Sequence, residues 1–442
     1  MGKEERPTGV VEEPKQVGEA QQIREKWKWV EPSVWTERML TTLERGVKGG
    51  KWFSLVDKVY SGNNLKAAWE RVRRNKGAAG IDRQSIKAFE GNEEKYLEEL
   101  ERSLREKRYE AKPVKRIWIP KAGSKEKRPL GIPVVKDRIV QTAIRNVIEP
   151  IFEKHFAEHS YGFRPGRGCR DALRRTDELL KLGYTWVADA DIKSYFDTIP
   201  HDKLMKEVEE QITDGGVLEL IEGYLKQGVM EGLEQWEVDK GTPQGAVISP
   251  LLANVYLNKI DHEMERKGYE MVRYADDSVI LCRSEEEAGR ALAEMKRMLE
   301  ERGLTLHPEK TRIGNAMKEG FVFLGYHFES NKRWPRKKSM DKLKETIRTK
   351  TRRTSGESMG CIIADINQSL KGWFGYFKHS HKWTFPTIDK WIRMRLRSIL
   401  RRRQGRKGRG RGADHQRWPN AYFTRHGLFT VTTAHILVCQ SR

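Results

Sequence analysis

Two stretches of the chain set acids among apolar residues at strand-like spacing. Residues 185–192, TWVADADI, place Asp189 and Asp191 between Val187, Ala188 and Ala190. Residues 272–282, VRYADDSVILC, flank Asp276 and Asp277 with Val272 on one side and Val279, Ile280 and Leu281 on the other. Side chains alternate faces along a strand, so two neighbouring acids in an unbroken strand would send one into the core. A strand–turn–strand over 270–282 avoids this, because acids in the bend can both reach one open edge. Further strands are predicted near 304–306 and over 321–328. A hairpin is predicted over 112–133, KPVKRIWIPKAGSKEKRPLGIP, where apolar runs flank a Gly/Ser/Lys tip.

Helical spacing dominates the rest. From Trp27 to about Arg108 the pattern is mostly helical, broken by the turn NKGAAGID at 75–82. Helices are predicted over 137–156, over 171–180, from near His201, over 247–265 and over 285–301. Past 335 come three helical stretches, roughly 338–353, 358–377 and 385–403, broken at Ser355-Gly356 and around Pro386. The segment QGRKGRGRG, 404–412, reads as a flexible basic linker, and the last thirty residues hold one short apolar stretch. Residues 1–25, rich in Glu, Gly, Pro and Gln, read as a disordered tail. The expected organisation is an N-terminal extension and fingers over 26–184, a palm over 185–334, a helical module over 335–403 and a linker and tail over 404–442.

Composition narrows the function classes. The chain has 442 residues, enough for about three domains, with 37% hydrophobic and 33% charged residues. It has no run of about 18 uncharged apolar residues, so no membrane partner is expected. The N-terminus lacks the apolar core of a secretory signal. The four cysteines are far apart, with no C-x-x-C pair, which argues against a disulfide framework or structural zinc and fits a reducing cytoplasm. The net charge is +22, and residues 331–411 hold 25 Lys/Arg against 5 Asp/Glu, a local excess of +20. Trp334, Trp373, Phe374, Tyr376, Phe377, Trp383 and Trp391 interleave with this charge, which a solvated basic tail would lack. The pattern reads as a folded module for a polyanion, most simply nucleic acid.

Two carboxylates about 4 Å apart repel by about 1–4 kcal/mol at moderate to high dielectric, so the acids at the bend call for a cation. Hard oxygen ligands select Mg²⁺, which takes one or two carboxylates together with substrate phosphates. Asp191, at the end of its strand, would supply a third carboxylate. Such a set suits two-metal, in-line phosphoryl transfer.

On these motifs the sequence resembles the group II intron-encoded reverse transcriptases, or maturases. The resemblance runs in order from about Leu55 to Arg403. It is carried by NKGAAGID (75–82), IPKAGSKEKRPLGIP (119–133), SYGFRPGRGC (160–169), ADIKSYFD (190–197), GTPQGAVISPLLANVYL (241–257), RYADD (273–277), GLTLHPEKT (303–311) and FLGY (323–326). GWFGYF (372–377) and DKWIRMRLR (389–397) resemble the family's thumb, or domain X. The resemblance implies an α+β, right-hand polymerase fold: fingers, a palm with an antiparallel sheet, and an α-helical thumb.

It further implies that Asp191 and Asp276 contact two catalytic Mg²⁺ ions and that Asp277 assists. Phe196 falls at the steric gate, where an aromatic ring under the sugar leaves no room for a 2′-hydroxyl. Lys121 and Arg128 fall where the fingers grip the incoming dNTP, and Gln244 where the nucleotide and template pocket is lined. Gly325 resembles the primer-grip turn. Lys310, Arg393, Arg395 and Arg397 are expected to bind nucleic acid, although the spacing of the three arginines spreads them over more than one helix face. The HxH at His379–His381 reads as structural or RNA-facing.

The implied activity is RNA-directed DNA synthesis by target-primed reverse transcription, with assistance to splicing. The implied partners are a group II intron RNA, a template RNA, and a DNA primer or target, in a bacterial cytoplasm at the nucleoid; a homodimer is compatible with this reading. Many relatives carry an HNH endonuclease with cysteine pairs, which is not expected here given the single late Cys439. Two alternatives stay open on sequence: a domesticated or defence-associated reverse transcriptase with another RNA partner, and an RNA-binding splicing factor with a relic polymerase site.

Overall fold

The computed structural model describes residues 17–120, 127–232, 234–237 and 239–440. Lys121 and the tip of the predicted hairpin lie outside the described residues. The chain divides into two compact units, and the boundary after Ile313 falls within a strand.

The first unit is built around the helix Val135–Glu153, whose apolar residues Val135, Ile139, Val140, Ala143, Ile144, Val147, Ile148 and Ile151 are all fully buried. A helix apolar on every side has to be enclosed. The helix Gly62–Asn75 packs along it, and Asn64 Nδ2 donates to the Ala143 carbonyl at 3.1 Å. The strands of this unit are β1 (Val114–Pro120), β2 (Lys127–Ile132), β3 (Trp186–Asp191), β4 (Val229–Glu231), β5 (Glu234–Trp236), β6 (Glu270–Tyr274), β7 (Asp277–Cys282) and β8 (Arg312–Asn315). They form two sheets, ordered β2-β1-β4-β5 and β6-β7-β3-β8.

β1 and β2 are the predicted hairpin, paired antiparallel with Ile119 opposite Arg128. β3, β6 and β7 are the predicted acid-bearing strands, and both of their pairings are antiparallel. Val187, Val272, Val279, Ile280 and Leu281 are buried, the last three in succession, so both faces of β7 are covered. The helices Ser249–Arg266 and Glu285–Glu301 pack against this sheet. The strand expected near 304–306 is reduced to one bridge, Leu306 to Ile192.

The second unit carries β9 (Phe321–Phe323), β10 (Tyr326–Glu329) and β11 (Lys332–Pro335), in the order β11-β10-β9. The single strand predicted over 321–328 is two strands, because the chain turns at Leu324 (φ +45°) and Gly325 (φ +81°). Helices Lys337–Lys350, Met359–Phe377 and Thr384–Arg403 follow. Pro386 does not break the last of these; it sits in its first turn, where a missing N–H costs nothing.

The segment 404–412, expected as a free linker, is pinned back: Gly410 N donates to Ser398 Oγ at 3.1 Å and Arg401 Nε to the Lys407 carbonyl at 2.8 Å. A Cβ on Gly410 would lie 2.5 Å from that of Arg397. Beyond it, Trp418, Phe423, Leu428 and Val431 join the core of the second unit. Asp389, buried in the helix Thr384–Arg403, accepts from Val431 N at 3.1 Å and Thr432 N at 3.0 Å, and so caps the helix Val431–Gln440.

Candidate active site

The acids meet where β3 and β7 end. Tyr274 on β6 pairs with Asp277 on β7, so Ala275 and Asp276 form the bend between them. Ala275 takes φ +60°, a left-handed backbone that a residue with a Cβ adopts at a cost. Asp191 lies opposite Asp277 in the β3–β7 register. Directly opposed residues of an antiparallel pair share a face, so these carboxylates leave the sheet on the same side. Asp276 is half-buried. Burial first, and then the charge of Asp191, pushes its carboxyl above the ordinary carboxylate range, while Lys310 and Arg273 pull it back.

Lys310 reaches the acids. Its Nζ lies 3.3 Å and 3.4 Å from the two oxygens of Asp191. Asp189, two residues before Asp191 and on its face, is pushed up to about 6, chiefly by burial, with Arg312 at 3.7 Å opposing the shift. No group of three Asp, Glu, His or Cys side chains among the described residues closes as a preformed metal cage. The donor set is nonetheless all carboxylate oxygen, more negative than one lysine neutralises, and open at the bend. That fits a cation completed by substrate phosphates, the usual mode for Mg²⁺.

The bend is held from below by a buried ion pair. Arg273 and Asp261 are 2% and 3% exposed in their side chains. Arg273 Nε donates to Asp261 Oδ1 at 2.7 Å, and Nη2 donates to Oδ2. Nη1 donates to Asn254 Oδ1 at 3.0 Å and to the Ala275 carbonyl at 2.8 Å. The guanidinium thus fixes the strained residue of the bend. From the side, Tyr161 N donates to the Arg273 carbonyl at 2.9 Å and Arg273 N to the His159 carbonyl at 3.0 Å. Gly162 then lies so close that a Cβ there would come 2.2 Å from Ala275 N. The glycine in YGFRPG is therefore a matter of backbone contact with the YADD bend. Gly162 lies in SYGFRPGRGC and Asn254 in GTPQGAVISPLLANVYL, but nothing in the sequence marked Asp261.

Five residues past Asp191 the chain enters the wall of a cavity of about 430 Å³, lined by Phe196, Asp197, Gln244, Arg116, Thr242 and Trp236, among others. Phe196 follows Tyr195, whose ring is buried and whose hydroxyl donates to the Ala253 carbonyl at 2.5 Å. Locking Tyr195 inward leaves Phe196 half-buried on the cavity side. The GTPQG loop runs along this segment, with Thr242 N donating to the Phe196 carbonyl at 2.6 Å. Gly241 (φ +90°) leaves no space for a Cβ, which would come 2.8 Å from the Phe196 carbonyl oxygen. Gly131 N donates to the Gln244 carbonyl at 2.6 Å, tying the loop to β2, and Gln244 Nε2 donates to Asp197 Oδ2 at 3.2 Å. Arg116 lies over the Trp236 ring at 4.8 Å.

The other expected binding residues divide. Arg128 is exposed on β2, and Gly325 forms the turn between β9 and β10. Arg397 is corrected. Its side chain is buried, donates to the Trp418 carbonyl at 2.9 Å and to Asn420 Oδ1 at 2.8 Å, and lies over the Phe423 ring, so it anchors the C-terminal segment. Arg395 is likewise engaged, with Nε donating to Thr351 Oγ1 at 2.6 Å and Nη2 to the Thr351 carbonyl at 2.9 Å. Arg393 is half-buried on the same helix.

An antiparallel palm sheet with acids at the end of one strand and in the bend of its neighbours defines a right-hand nucleic-acid polymerase. Comparison with known proteins places it further. A family described as "Reverse transcriptase (RNA-dependent DNA polymerase)" matches residues 119–328, and "Group II intron, maturase-specific domain" matches residues 340–418. Protein YkfC of Escherichia coli (strain K12) is 32% identical over 350 residues, covering 70% of this chain and 87% of its own. The group II intron-encoded protein LtrA of Lactococcus lactis subsp. cremoris is 39% identical over 196 residues, 44% of this chain and 32% of LtrA, so the match spans about a third of that relative. A putative COX1/OXI3 intron 1 protein of Saccharomyces cerevisiae is 27% identical over 408 residues, 79% of this chain and 48% of its own. The chain belongs to the group II intron reverse transcriptase/maturase family. No helix among its described residues is long and apolar enough to cross a membrane.

Proposed function

We propose that the chain is an RNA-directed DNA polymerase that binds a group II intron RNA, assists its splicing and copies it into DNA from a primer at the target site. The observation that carries this reading is the meeting of Asp191, Asp276 and Asp277 at one open bend. Asp191 and Asp276 would hold Mg²⁺ jointly with the phosphates of an incoming dNTP, and Asp277 would support them. Two bound Mg²⁺ ions would activate a primer 3′-hydroxyl and stabilise the charge developing on the departing pyrophosphate.

The remaining work falls to the chain itself. Arg128, and Lys121 by its place in the motif, would orient the triphosphate and offset its charge. Phe196 would stand under the sugar and exclude a 2′-hydroxyl. Gln244, its amide NH₂ turned to Asp197, would present its carbonyl oxygen to the nucleotide or template. Lys310 would hold the Asp191 carboxylate in place until substrate arrives. The basic second unit would hold RNA.

The test is primer extension on an RNA template with dNTPs and, separately, NTPs. Asp276→Ala is expected to abolish extension and leave RNA binding unchanged; extension at the parental rate would remove the assignment of the site. Phe196→Ala is expected to raise ribonucleotide incorporation relative to deoxynucleotide, and unchanged discrimination would place the gate elsewhere.

A further inference from the structure

The second unit carries an ordered aromatic group that its core does not use. Trp383 precedes the helix Thr384–Arg403 and is 70% exposed. A single exposed apolar side chain needs no explanation, but this ring belongs to a stack. The His381 ring stands edge-on to it, centroids 5.0 Å apart at 89°, and Trp334 of β11 lies 5.5 Å beyond His381. The backbone makes the stack rigid: His381 N donates to the Arg333 carbonyl at 2.8 Å, and Arg333 Nε donates to the His379 carbonyl at 3.0 Å.

Two further observations give the surface a chemistry. Lys332 and Lys382 are exposed near His381, and their charges add to burial in holding its imidazole below its ordinary range. The positive charge of the surface comes from the lysines. The same short loop holds three buried polar atoms without a hydrogen-bond partner: Ser380 Oγ, His381 Nδ1 and Thr384 Oγ1. Such atoms are rarely left unpaired in a native protein, and each can serve an incoming donor or acceptor after a small local adjustment.

We propose that Trp383, with Lys332 and Lys382, forms a stacking platform for an unpaired RNA nucleotide, the base lying on the indole and the flanking phosphates on the two lysines. Every base offers a π-face, so an indole accepts any of them, whereas a base inside a duplex has both faces covered. The positive charge beside the rings favours a polyanion over an apolar protein partner. The site rests on the reading that the second unit binds RNA, and it specifies which part of the RNA binds there: an unpaired nucleotide.

The test measures binding of the full chain to a short single-stranded RNA, the same RNA annealed into a duplex, and a single-stranded DNA of the same sequence, across a salt series. Trp383→Ala is expected to weaken single-stranded RNA binding about 5- to 150-fold, from the loss of one stacked base. Trp383→Phe should retain most of the affinity, and duplex binding should move less than single-strand binding. Lys332→Ala with Lys382→Ala should lower the magnitude of the salt slope by about 1.4, for two phosphates on a single strand. Because these side chains are exposed, the variants should keep the parental melting temperature. If the parent binds RNA but Trp383→Ala binds single strands equally well, the platform is refuted and the RNA-binding reading survives. If the parent binds no RNA, the broader reading fails. Equal loss on DNA and RNA single strands would overturn the assignment to RNA.

Discussion

Replacing Asp261 with alanine is the sharpest test of how the catalytic bend is held. The substitution touches no residue expected to meet substrate. It leaves the Arg273 guanidinium, 2% exposed, without its counter-charge. Removing one partner of a buried ion pair destabilises by about 3–5 kcal/mol, because the survivor is a buried and uncompensated charge. The unit that holds the pair has roughly 300 residues, and at about 2.1 cal/mol/K of unfolding entropy per residue each kcal/mol shifts its melting temperature by about 1.5 °C, so the fall is about 5–8 °C. Replacing both partners with apolar residues of similar volume, Asp261→Leu with Arg273→Met, removes the charges together and should recover most of this loss. The double variant still cannot donate to the Ala275 carbonyl, a contact of 2.8 Å in the parent. Stability and activity should therefore separate. The single variant loses both, and the double variant folds near the parental temperature while primer extension stays impaired. Thermal melting followed by circular dichroism, with primer extension on the same samples, reads out the two quantities. A loss below about 1 kcal/mol in Asp261→Ala, or full polymerase activity in the double variant, would refute the claim that this pair sets the bend.

Two other outcomes are expected. Gly162→Ala places a Cβ 2.2 Å from Ala275 N, against backbone that has no side-chain freedom to yield, so the bend must move; the variant should lose primer extension with a stability cost of about 1–3 kcal/mol, and unchanged extension rates would show that the bend tolerates displacement. Asp137, buried with Tyr109 donating to Oδ1 and Lys112 N to Oδ2 at 3.1 Å, is pushed up to about 6 chiefly by burial. Between about pH 4 and 6 the folded chain keeps a proton that the unfolded chain has lost, so this group makes stability fall as pH rises, by about 3 kcal/mol at most once the pH is above both values. Urea titrations should show Asp137→Asn flattening that slope, and an identical slope in parent and variant would contradict the assignment.

The places where sequence and structure part company share one cause. Arg393, Arg395 and Arg397 look alike in a basic, amphipathic run. Yet Arg397 is buried against Trp418, Asn420 and Phe423, and Arg395 is bound to Thr351. Charge reports that a side chain can bind phosphate; it does not report what the chain brings to it first. The stretch 404–412 has the composition of a linker, but Gly410 is needed for close approach to Arg397, a reason invisible in a run of Gly and Arg. Lys310 reads from its motif as a nucleic-acid contact, and the carboxylate it reaches is 119 residues away.

What the sequence determined by itself is what short-range alternation and spacing encode. Val187 to Asp191 could be read as a strand, Val272 to Leu281 as two strands with the bend within it as the place for two acids, and the basic, aromatic-rich region past 331 as a folded module, because each depends on residues within a few positions of one another. Tertiary structure alone decided which groups complete the site. Asp261 reaches Arg273 from a helix, Gly162 meets the bend from a separate loop, and Lys310 and Arg312 come to Asp191 and Asp189 from beyond the helix Glu285–Glu301. The electrostatics of a buried carboxylate depend on distance in space and on exclusion of water, and neither is a property of neighbours along the chain.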